Sequence, residues 1–304
     1  MNSVKNQLVY KNQEKNIQVF LKRLDQIPPK GFGNKIYKLK YNLLQAKKMG
    51  FKTMVSFGGA YSNHIAALAK TAKTEGIKAI GIIRGEELGE NLDQTLQQNP
   101  TLALAAQNGM ELIFISRASY RQKNTQEFKN KLLEQWGPVY ILPEGGSNEW
   151  AVKGCEEIIS ESDKNFDYIC CPVGTGGTVS GIIRAASPQQ KVLGYLALKA
   201  DLSAEIERYV NSNNWKLIKD YHFGGFAKIN KELVSFINTF TDENQVVLDP
   251  IYTGKMMFGI FKDIENGFFK ENSRILAVHT GGLQGIEGMN QKLIKKKLPV
   301  INYI

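Results

Sequence analysis

The sequence contains few cysteines and no long hydrophobic run. Its three cysteines, Cys155, Cys170 and Cys171, are too few for a disulfide framework, and the adjacent pair lies in an apolar segment where small buried side chains fit. No apolar run approaches the roughly 18 residues that would span a membrane. The segment from Met1 to Lys15 is polar and lacks the apolar core of a signal peptide. We therefore expect a cytoplasmic protein with no membrane partner.

The sequence also lacks the motifs of several binding classes. Neither HExxH nor paired CxxC occurs, so we expect no metal site, and no Walker loop of the form GxxxxGK[ST] is present. The formal net charge of +10 raises the question of nucleic-acid binding. However, the lysines are scattered, and the one dense cluster, Lys292 to Lys297, has no interleaved aromatic residues. We therefore expect no nucleic-acid partner.

The order of predicted elements indicates an α/β fold. Strands are predicted at 17–23, 53–57, 78–83, 111–115, 139–142, 168–172, 191–198 and 274–279. Helices are predicted after Asn34, at 62–73, 92–108, 126–136 and 151–160, and after Gly174. Such alternation is typical of βαβ units and a parallel sheet. Because the pattern restarts after 143–147, we expect two α/β domains with a cleft between them, a larger one at 1–48 plus 144–304 and a smaller one at 49–143.

The stretch GFGNKIYKLK, at 31–40, predicts a glycine loop that leads into an amphipathic helix with Asn34 as its cap. Lys35 and Lys38 are three residues apart and share a face of that helix, whereas Lys40 does not. Positive charge at a helix start opposes the helix dipole. Two explanations are open: a solvated basic face, or an anionic ligand for which one lysine is a reactive amine and the other a charge anchor.

A second stretch, PVGTGGT at 172–178, lies between a predicted buried strand and a helix. Glycines allow successive backbone N–H groups to converge on an anion, and the helix N-terminus adds a positive field. The dinucleotide fingerprint GxGxxG is not met, because Val179 occupies its last glycine position. The stretch is therefore either a cup for a single phosphate or a tight strand-to-helix turn.

Three further stretches lie at predicted strand ends or turns: FGGAYSNH at 57–64, LDPIYTGK at 248–255 and HTGG at 279–282. Each also has a purely structural explanation, since Ser62 or Asn63 can cap a helix, Tyr252 can be a core aromatic, and His279 can be a structural histidine. In parallel sheets, however, ligands bind outside the carboxyl ends of the strands. Their shared placement favours one common site.

The stretches GNKxxKL, SNH, GTGGT, DPxYTGK and HTGG, in this order, resemble pyridoxal-phosphate enzymes of fold type II. Within them, the sequence is similar to the 1-aminocyclopropane-1-carboxylate deaminase/D-cysteine desulfhydrase family, from about Arg23 to Gly282. The resemblance implies a two-domain open parallel-sheet fold with pyridoxal 5'-phosphate in the interdomain cleft and the larger domain binding the cofactor. It also implies a small amino-acid substrate and a homodimer.

The resemblance also implies roles for individual residues. Lys35 would form the Schiff base with the cofactor, and Lys38 would lie near its phosphate. Asn63 would donate to the phenolic oxygen of the cofactor ring, and Thr280 would contact the pyridine nitrogen. The loop that holds the phosphate would consist of Gly174, Thr175, Gly176, Gly177 and Thr178.

On the substrate side, the resemblance implies that Ser62 and His64 meet the carboxylate, next to Asn63, and that Tyr252 faces the substrate. Lys35, Ser62 and Tyr252 would be the catalytic residues, with Lys35 as general base at Cα. A neutral hydroxyl such as that of Thr280 would not keep the pyridine nitrogen protonated as a carboxylate would, which favours elimination over transamination.

Two positions bear on the reaction. The deaminase proper typically reads SNQ and has a glutamate near the pyridine nitrogen, where this sequence has His64 and Thr280. This favours a desulfhydrase-like β-elimination that gives a keto acid, ammonia and a leaving group such as sulfide. The alternatives are ring-opening deamination of 1-aminocyclopropane-1-carboxylate and a pyridoxal-phosphate-binding protein with little catalysis. The stretch YHFGGF at 221–226 differs from the substrate-facing tyrosine loop usual in the family.

Overall fold

Segments rich in Val, Ile and Leu form the strands of two sheets, which lie in two different units of the chain. A computed structural model describes residues 4–303. Contacts within the chain define a large unit, which comprises the chain up to Asn34 and from Val152 onward, and a small unit, Lys35–Ala151. The sequence pattern placed the divisions after residues 48 and 143, whereas the contacts place them after Asn34 and Ala151.

The strands alternate with helices along most of the chain. In chain order, the strands are β1 (Asn6–Asn12), β2 (Ile17–Arg23), β3 (Thr53–Gly58), β4 (Lys78–Arg84), β5 (Glu111–Ile115), β6 (Tyr140–Ile141), β7 (Tyr168–Val173), β8 (Lys191–Leu196), β9 (Trp215–Ile218) and β10 (Arg274–His279).

The α-helices fill most of the connections between these strands. They are α1 (Asn34–Lys48), α2 (Asn63–Thr74), α3 (Leu92–Gln98), α4 (Pro100–Gln107), α5 (Arg117–Arg121), α6 (Gln126–Trp136), α7 (Glu149–Glu156), α8 (Gly177–Ala185), α9 (Ser203–Glu207), α10 (Lys231–Asn244), α11 (Thr253–Glu265) and α12 (Gly285–Lys295). Across residues 4–303, we find no helix with the length and apolar character that crossing a membrane requires.

The sheet of the large unit has the order β1-β2-β10-β7-β8-β9. Its neighbouring strands are parallel, except that β1 runs antiparallel to β2. Strand β7 is buried along its whole length, as a parallel strand covered on both faces must be. Its neighbour β10 and helices α10 and α11 pack around the same hydrophobic core.

The sheet of the small unit has the order β5-β4-β3-β6, and all its neighbouring strands are parallel. Val55 and Phe57 of β3 pack with Ile80 and Ile82 of β4 in its core. These residues alternate along each strand and therefore share one face of the sheet. The prediction of an α/β fold with parallel sheets is confirmed.

One predicted helix is interrupted. The sequence pattern predicted a continuous helix at 92–108, but the structure has α3 and α4 with a break at Asn99. Pro100 lacks an N–H and disfavours a helical conformation at the preceding residue. Asn99 is accordingly extended, and its side chain caps α4 by accepting a hydrogen bond from Leu102 N at 3.0 Å. Strands β1 and β9 were not predicted.

Two glycine-containing loops of the large unit approach each other closely. Gly33, which precedes α1, has φ +51°, and a Cβ at this position would overlap the Thr280 carbonyl oxygen. On the other loop, Gly281 has φ +77°, and a Cβ there would lie 3.1 Å from the Gly31 oxygen. The start of α1 is therefore held against the carboxyl end of β10.

We expect a Gly33→Ala substitution to lower the free energy of unfolding by about 2–6 kcal/mol, because it adds left-handed strain to a steric clash with backbone. Gly31→Ala is the matched control, since Gly31 also has positive φ (+94°) but no atom lies within 4 Å of the place that its Cβ would take. Chemical denaturation of both variants separates the two effects. Equal losses of stability would contradict the close approach.

Candidate active site

Asn34 joins two of the predicted site motifs in the large unit. Its backbone N–H donates to the Thr280 carbonyl at 3.2 Å, and its side-chain Nδ2 donates to Thr178 Oγ1 at 2.8 Å. The side chain is buried. Because Lys35 is the next residue in the chain, the predicted reactive lysine directly follows a residue bonded to both the glycine loop and the end of β10. The sequence predicted only a helix cap at Asn34. Its position within the GNKxxKL motif, directly before Lys35, was the signal that could have indicated a further role.

The glycine loop leads from β7 into α8. Gly176 has φ +79° and precedes α8, and no side chain caps this helix. The first N–H groups of a helix need partners outside it, and they favour an anion. Thr178 accepts a hydrogen bond from Asn34, so its own O–H can still donate. This geometry is compatible with a phosphate cup, as predicted for residues 174–178.

Tyr252 lies against this loop. A Cβ built on Gly174 would be 2.9 Å from Tyr252 Cε1 and 3.3 Å from its hydroxyl oxygen. Asp249 orders the turn before α11: its Oδ1 accepts from Tyr252 N at 2.8 Å, and its Oδ2 accepts from Thr253 Oγ1 at 2.6 Å. In the DPxYT stretch, Asp249 and Thr253 therefore have structural roles, and they hold Tyr252 beside the glycine loop.

His279 has contacts of a structural histidine. Its ring is fully buried, with Nε2 2.8 Å from the Val247 carbonyl and Nδ1 accepting from Gly281 N at 3.2 Å. A carbonyl can only accept, so Nε2 carries the proton. The imidazole thus fixes the loop after β10, in which Thr280 is buried.

In the small unit, Ser62 and Asn63 lie at the start of α2. Ser62 caps the helix, and its hydroxyl oxygen accepts from Ile65 N at 3.4 Å. Gly58, at the end of β3, allows this turn, since a Cβ there would lie 2.7 Å from Ser62 Oγ. Both Ser62 and Asn63 are partly exposed. Their proposed contacts with substrate and cofactor stay predictions.

His64, the next residue, is buried, and its hydrogen bonds define its tautomer. Its Nε2 is 2.8 Å from Ser56 Oγ, while the Ser56 hydroxyl donates to the Leu142 carbonyl at 2.9 Å. Since Ser56 has one hydrogen to donate, His64 Nε2–H must be the donor to Ser56. His64 Nδ1 is then an acceptor, and within residues 4–303 it is a buried atom without a hydrogen-bond partner.

Burial, and then the charges of Lys35 and Lys38, hold the pKa of His64 well below its usual 6.5. His64 is therefore neutral at neutral pH. A neutral imidazole with this tautomer presents a lone pair at Nδ1 and no N–H. It can accept a hydrogen bond from an ammonium or hydroxyl group, but contact with a carboxylate at Nδ1 requires a second proton or a change of tautomer.

Lys35 and Lys38 differ in their surroundings. Lys35 is partly exposed, whereas Lys38 is 2% exposed. Lys38 Nζ donates to the Gly145 carbonyl at 3.0 Å and to Ser147 Oγ at 2.8 Å. The predicted roles of the two lysines, a reactive amine at Lys35 and a charge anchor at Lys38, stay predictions. A contact between Lys38 and a phosphate stays a prediction.

These residues fit pyridoxal phosphate by their chemistry. The large unit offers the uncapped start of α8 and the Thr178 hydroxyl for a phosphate. The small unit offers the partly exposed Lys35 and the unpartnered lone pair of His64. An open groove of about 400 Å³ between α10 and α11 contains none of the predicted site residues.

We expect acidification to destabilise the wild-type protein relative to a His64→Gln variant. Below pH 6.5 the histidine takes up a proton in the unfolded chain but not in the folded protein. The free energy of unfolding therefore falls as the pH is lowered, by up to about 1.4 kcal/mol per pH unit, until the pKa of the folded protein is reached. Urea denaturation of both proteins between pH 7 and 5 measures the difference. A difference independent of pH would show that His64 is not held neutral.

Comparisons with known proteins agree with these features. A family model described as pyridoxal-phosphate dependent enzyme matches residues 6–281. A Pyrococcus abyssi protein, provisionally named 1-aminocyclopropane-1-carboxylate deaminase, is 30% identical over 93% of this chain and 90% of its own. The D-cysteine desulfhydrase of Yersinia enterocolitica is 25% identical over 87% of this chain and 86% of its own.

A solved structure also matches closely. A crystal structure described as that of an ACC deaminase homologue superposes with a TM-score of 0.81 and 26% identity, covering 96% of this chain and 93% of its own. The family match spans most of the sequence, and relatives and structure agree with it. The chain belongs to the pyridoxal-phosphate-dependent enzymes of fold type II, and within them to the 1-aminocyclopropane-1-carboxylate deaminase/D-cysteine desulfhydrase family.

Proposed function

We propose that this enzyme releases ammonia and a keto acid from a small amino acid by a β-elimination of the D-cysteine desulfhydrase type. In this reaction the Cα–H bond and the bond from Cβ to the leaving group, such as sulfide, are broken. Water then completes the release of ammonia and the keto acid. The supporting relatives include a D-cysteine desulfhydrase.

The observation that carries the proposal is the pair of hydrogen bonds made by Asn34. They link the residue before Lys35 to Thr178 of the glycine loop and to the carbonyl of Thr280. A pyridoxal-phosphate enzyme needs a lysine amine, a phosphate cup and a polar partner for the pyridine nitrogen. Asn34 connects the chain segments that we assign to these three tasks.

Bound pyridoxal phosphate supplies an electron sink for negative charge at the substrate Cα. We assign the covalent attachment of the cofactor and proton transfer at Cα to Lys35, which is partly exposed. We assign phosphate binding to residues 174–178, with Lys38 contributing positive charge nearby. The hydroxyl of Thr280 is assigned to the pyridine nitrogen, with which it can form a hydrogen bond. Because this hydroxyl is neutral, it does not keep the nitrogen protonated, whereas a neighbouring carboxylate would.

On the substrate side, Ser62 and the adjacent backbone at the start of α2 are assigned to the carboxylate, because a helix N-terminus favours negative charge. Asn63 is assigned to the phenolic oxygen of the cofactor ring and to the substrate beside it. His64 is assigned to the same region, where its buried lone pair can accept from a donor group. Tyr252, held by Asp249 beside the glycine loop, is assigned to the substrate face.

A second candidate activity is the ring-opening deamination of 1-aminocyclopropane-1-carboxylate. It is supported by the Pyrococcus abyssi relative and by the structure of the ACC deaminase homologue. Against it stand His64 and Thr280, which replace the glutamine and glutamate typical of the deaminase proper. Both reactions release ammonia and a keto acid, but the keto acids differ and only the β-elimination also releases a leaving group such as sulfide.

We also propose that the enzyme acts in the cytoplasm as a homodimer. The three cysteines are buried free thiols, which suits a reducing compartment. The homodimer follows from the family resemblance alone. Light scattering of the purified holoenzyme tests it, and a monomer mass would overturn it.

We expect Lys35→Ala to abolish covalent attachment of the cofactor and to lower kcat by at least about 100-fold, the lower range of a general base's contribution. The visible absorbance of the lysine-bound cofactor measures attachment, and borohydride trapping with peptide mass spectrometry identifies the modified residue. Lys40→Ala, on another face of α1, is the matched control and should retain both properties. Trapping at any lysine other than Lys35 would contradict the assignment.

We expect the wild-type holoenzyme to release pyruvate from D-cysteine faster than from L-cysteine or D-serine, and to release little 2-oxobutanoate from 1-aminocyclopropane-1-carboxylate. Coupled assays of keto-acid formation on this panel compare the two candidate activities. Preference for the cyclopropane substrate would replace the first candidate with the second. Turnover of none of the four would indicate a cofactor-binding protein with little catalysis of these reactions.

A further inference from the structure

Arg23 and Asp25 form a buried ion pair where β2 ends in the large unit. Arg23 Nε and Nη2 donate to Asp25 Oδ1 and Oδ2 at 2.9 and 2.7 Å, and the two side chains are 9% and 6% exposed. The third guanidinium nitrogen, Nη1, donates to Gln7 Oε1 of β1 at 2.7 Å. Such two-point pairing belongs to the strong charge-assisted hydrogen bonds. The proposed function gives this pair no role.

The Asp25 carboxylate lies beside His279, the residue before Thr280. Its Oδ1 is 3.6 Å from His279 Nδ1, the atom that accepts from Gly281 N. This distance is too long for a hydrogen bond, so the carboxylate acts on the ring through its charge, which makes Nδ1 a stronger acceptor. Burial raises the pKa of Asp25, but the hydrogen bonds from Arg23 and the neighbouring His279 outweigh it and bring the pKa below its usual 3.8. The carboxylate is therefore ionised at neutral pH.

The backbone of Asp25 joins the loop before α1 to the loop after β10. The Asp25 carbonyl accepts from Gly31 N at 3.2 Å, and the Gly31 carbonyl accepts from Gly282 N at 3.3 Å. Beside them, the Thr280 carbonyl accepts from Asn34 N at 3.2 Å. The ion pair that fixes Asp25 thus lies at one end of a series of hydrogen bonds, and the loop that contains Thr280 lies at the other.

The same pair determines the net charge behind Thr280. The Arg23 guanidinium is always protonated, and its charge cancels that of the Asp25 carboxylate. His279 adds no charge, because its one ring proton is on Nε2 while Nδ1 accepts. Thr280 is itself neutral and buried. A pyridine nitrogen bonded to its hydroxyl would therefore experience no net charge from these side chains.

We propose that the Arg23–Asp25 pair positions Thr280 for the pyridine nitrogen and keeps the region behind Thr280 free of net charge. Asp25 is a positioning residue, because it acts through His279 and Gly31. The proposal rests on the assignment of Thr280 under the proposed function. Its tests need no substrate, so a failure of the proposed β-elimination leaves their outcomes unchanged.

The first experiment measures hydrogen exchange of the holoenzyme with Asp25→Asn, which keeps the shape of the side chain and removes its charge. The amides of Gly31, Gly281 and Gly282 should exchange at least about tenfold faster, roughly the factor that corresponds to a lost charge-assisted hydrogen bond. Exchange of these amides at the wild-type rate would overturn the positioning role.

Asp163→Asn is the matched control, since Asp163 forms another buried ion pair with β2, to Lys22 at 2.6 Å. Both variants should lower the urea midpoint, because each leaves a buried charge unpaired. Only Asp25→Asn should accelerate exchange at Gly281 and Gly282, and loss of the cofactor from this variant alone would support the same role. Equal acceleration in both variants would overturn it, because general destabilisation would then explain the effect.

The second experiment tests the charge by titrating the visible absorbance of the lysine-bound cofactor with pH. Asp25→Asn leaves the Arg23 charge unpaired, and a nearby positive charge favours the deprotonated form of the cofactor. The midpoint should fall by about one pH unit, the shift that a unit charge about 10 Å away produces at an effective dielectric constant of about 20. An unchanged midpoint would overturn the charge role.

The double variant Arg23→Gln/Asp25→Asn separates charge from position. It removes both charges, so the midpoint should return toward the wild-type value while exchange at Gly281 and Gly282 stays fast. A midpoint that remains at the value of Asp25→Asn would overturn the charge role. If Asp25→Asn does not fold, the double variant serves for the exchange experiment, because it leaves no charge of this pair buried without its partner.

Discussion

The two hydrogen bonds of Asn34 are the constraint on which the site residues of the large unit depend. One bond ties the start of α1 to the carbonyl of Thr280, and the other ties it to the hydroxyl of Thr178. The first bond depends on Gly33, because a Cβ at this position would overlap the Thr280 carbonyl. Within the large unit, Asn34 is thereby tied to the ends of β7 and β10, which are neighbouring strands.

In the small unit, His64 is buried and stays neutral. His64 donates from Nε2 to Ser56, whose hydroxyl is committed to the Leu142 carbonyl. Burial and two neighbouring lysines oppose a second proton on the ring. The result is a fixed lone pair close to Lys35 and Lys38. A glutamine could also accept a hydrogen bond, but its amide would place an additional N–H donor in this region.

The stretch DPxYTGK combines one proposed substrate contact with several structural tasks. Asp249 and Thr253 order the turn before α11, and Lys255 binds three carbonyls in the interior. These residues explain how an aromatic ring at Tyr252 can be held beside the glycine loop. Most residues of this motif therefore stabilise the local structure, and only Tyr252 is a proposed contact with the substrate.

The sequence by itself determined the fold class and most elements, because hydrophobic periodicity and strand-end glycines are local signals. Ile17–Arg23, Glu111–Ile115, Gln126–Trp136 and Arg274–His279 have the predicted bounds, whereas Pro100 divided a predicted helix. The motifs likewise identified the family. Only the tertiary structure decided the second role of Asn34, the tautomer of His64 and the three partners of Lys255. Each depends on atoms from residues far apart in sequence, and a local pattern does not encode which of them meet.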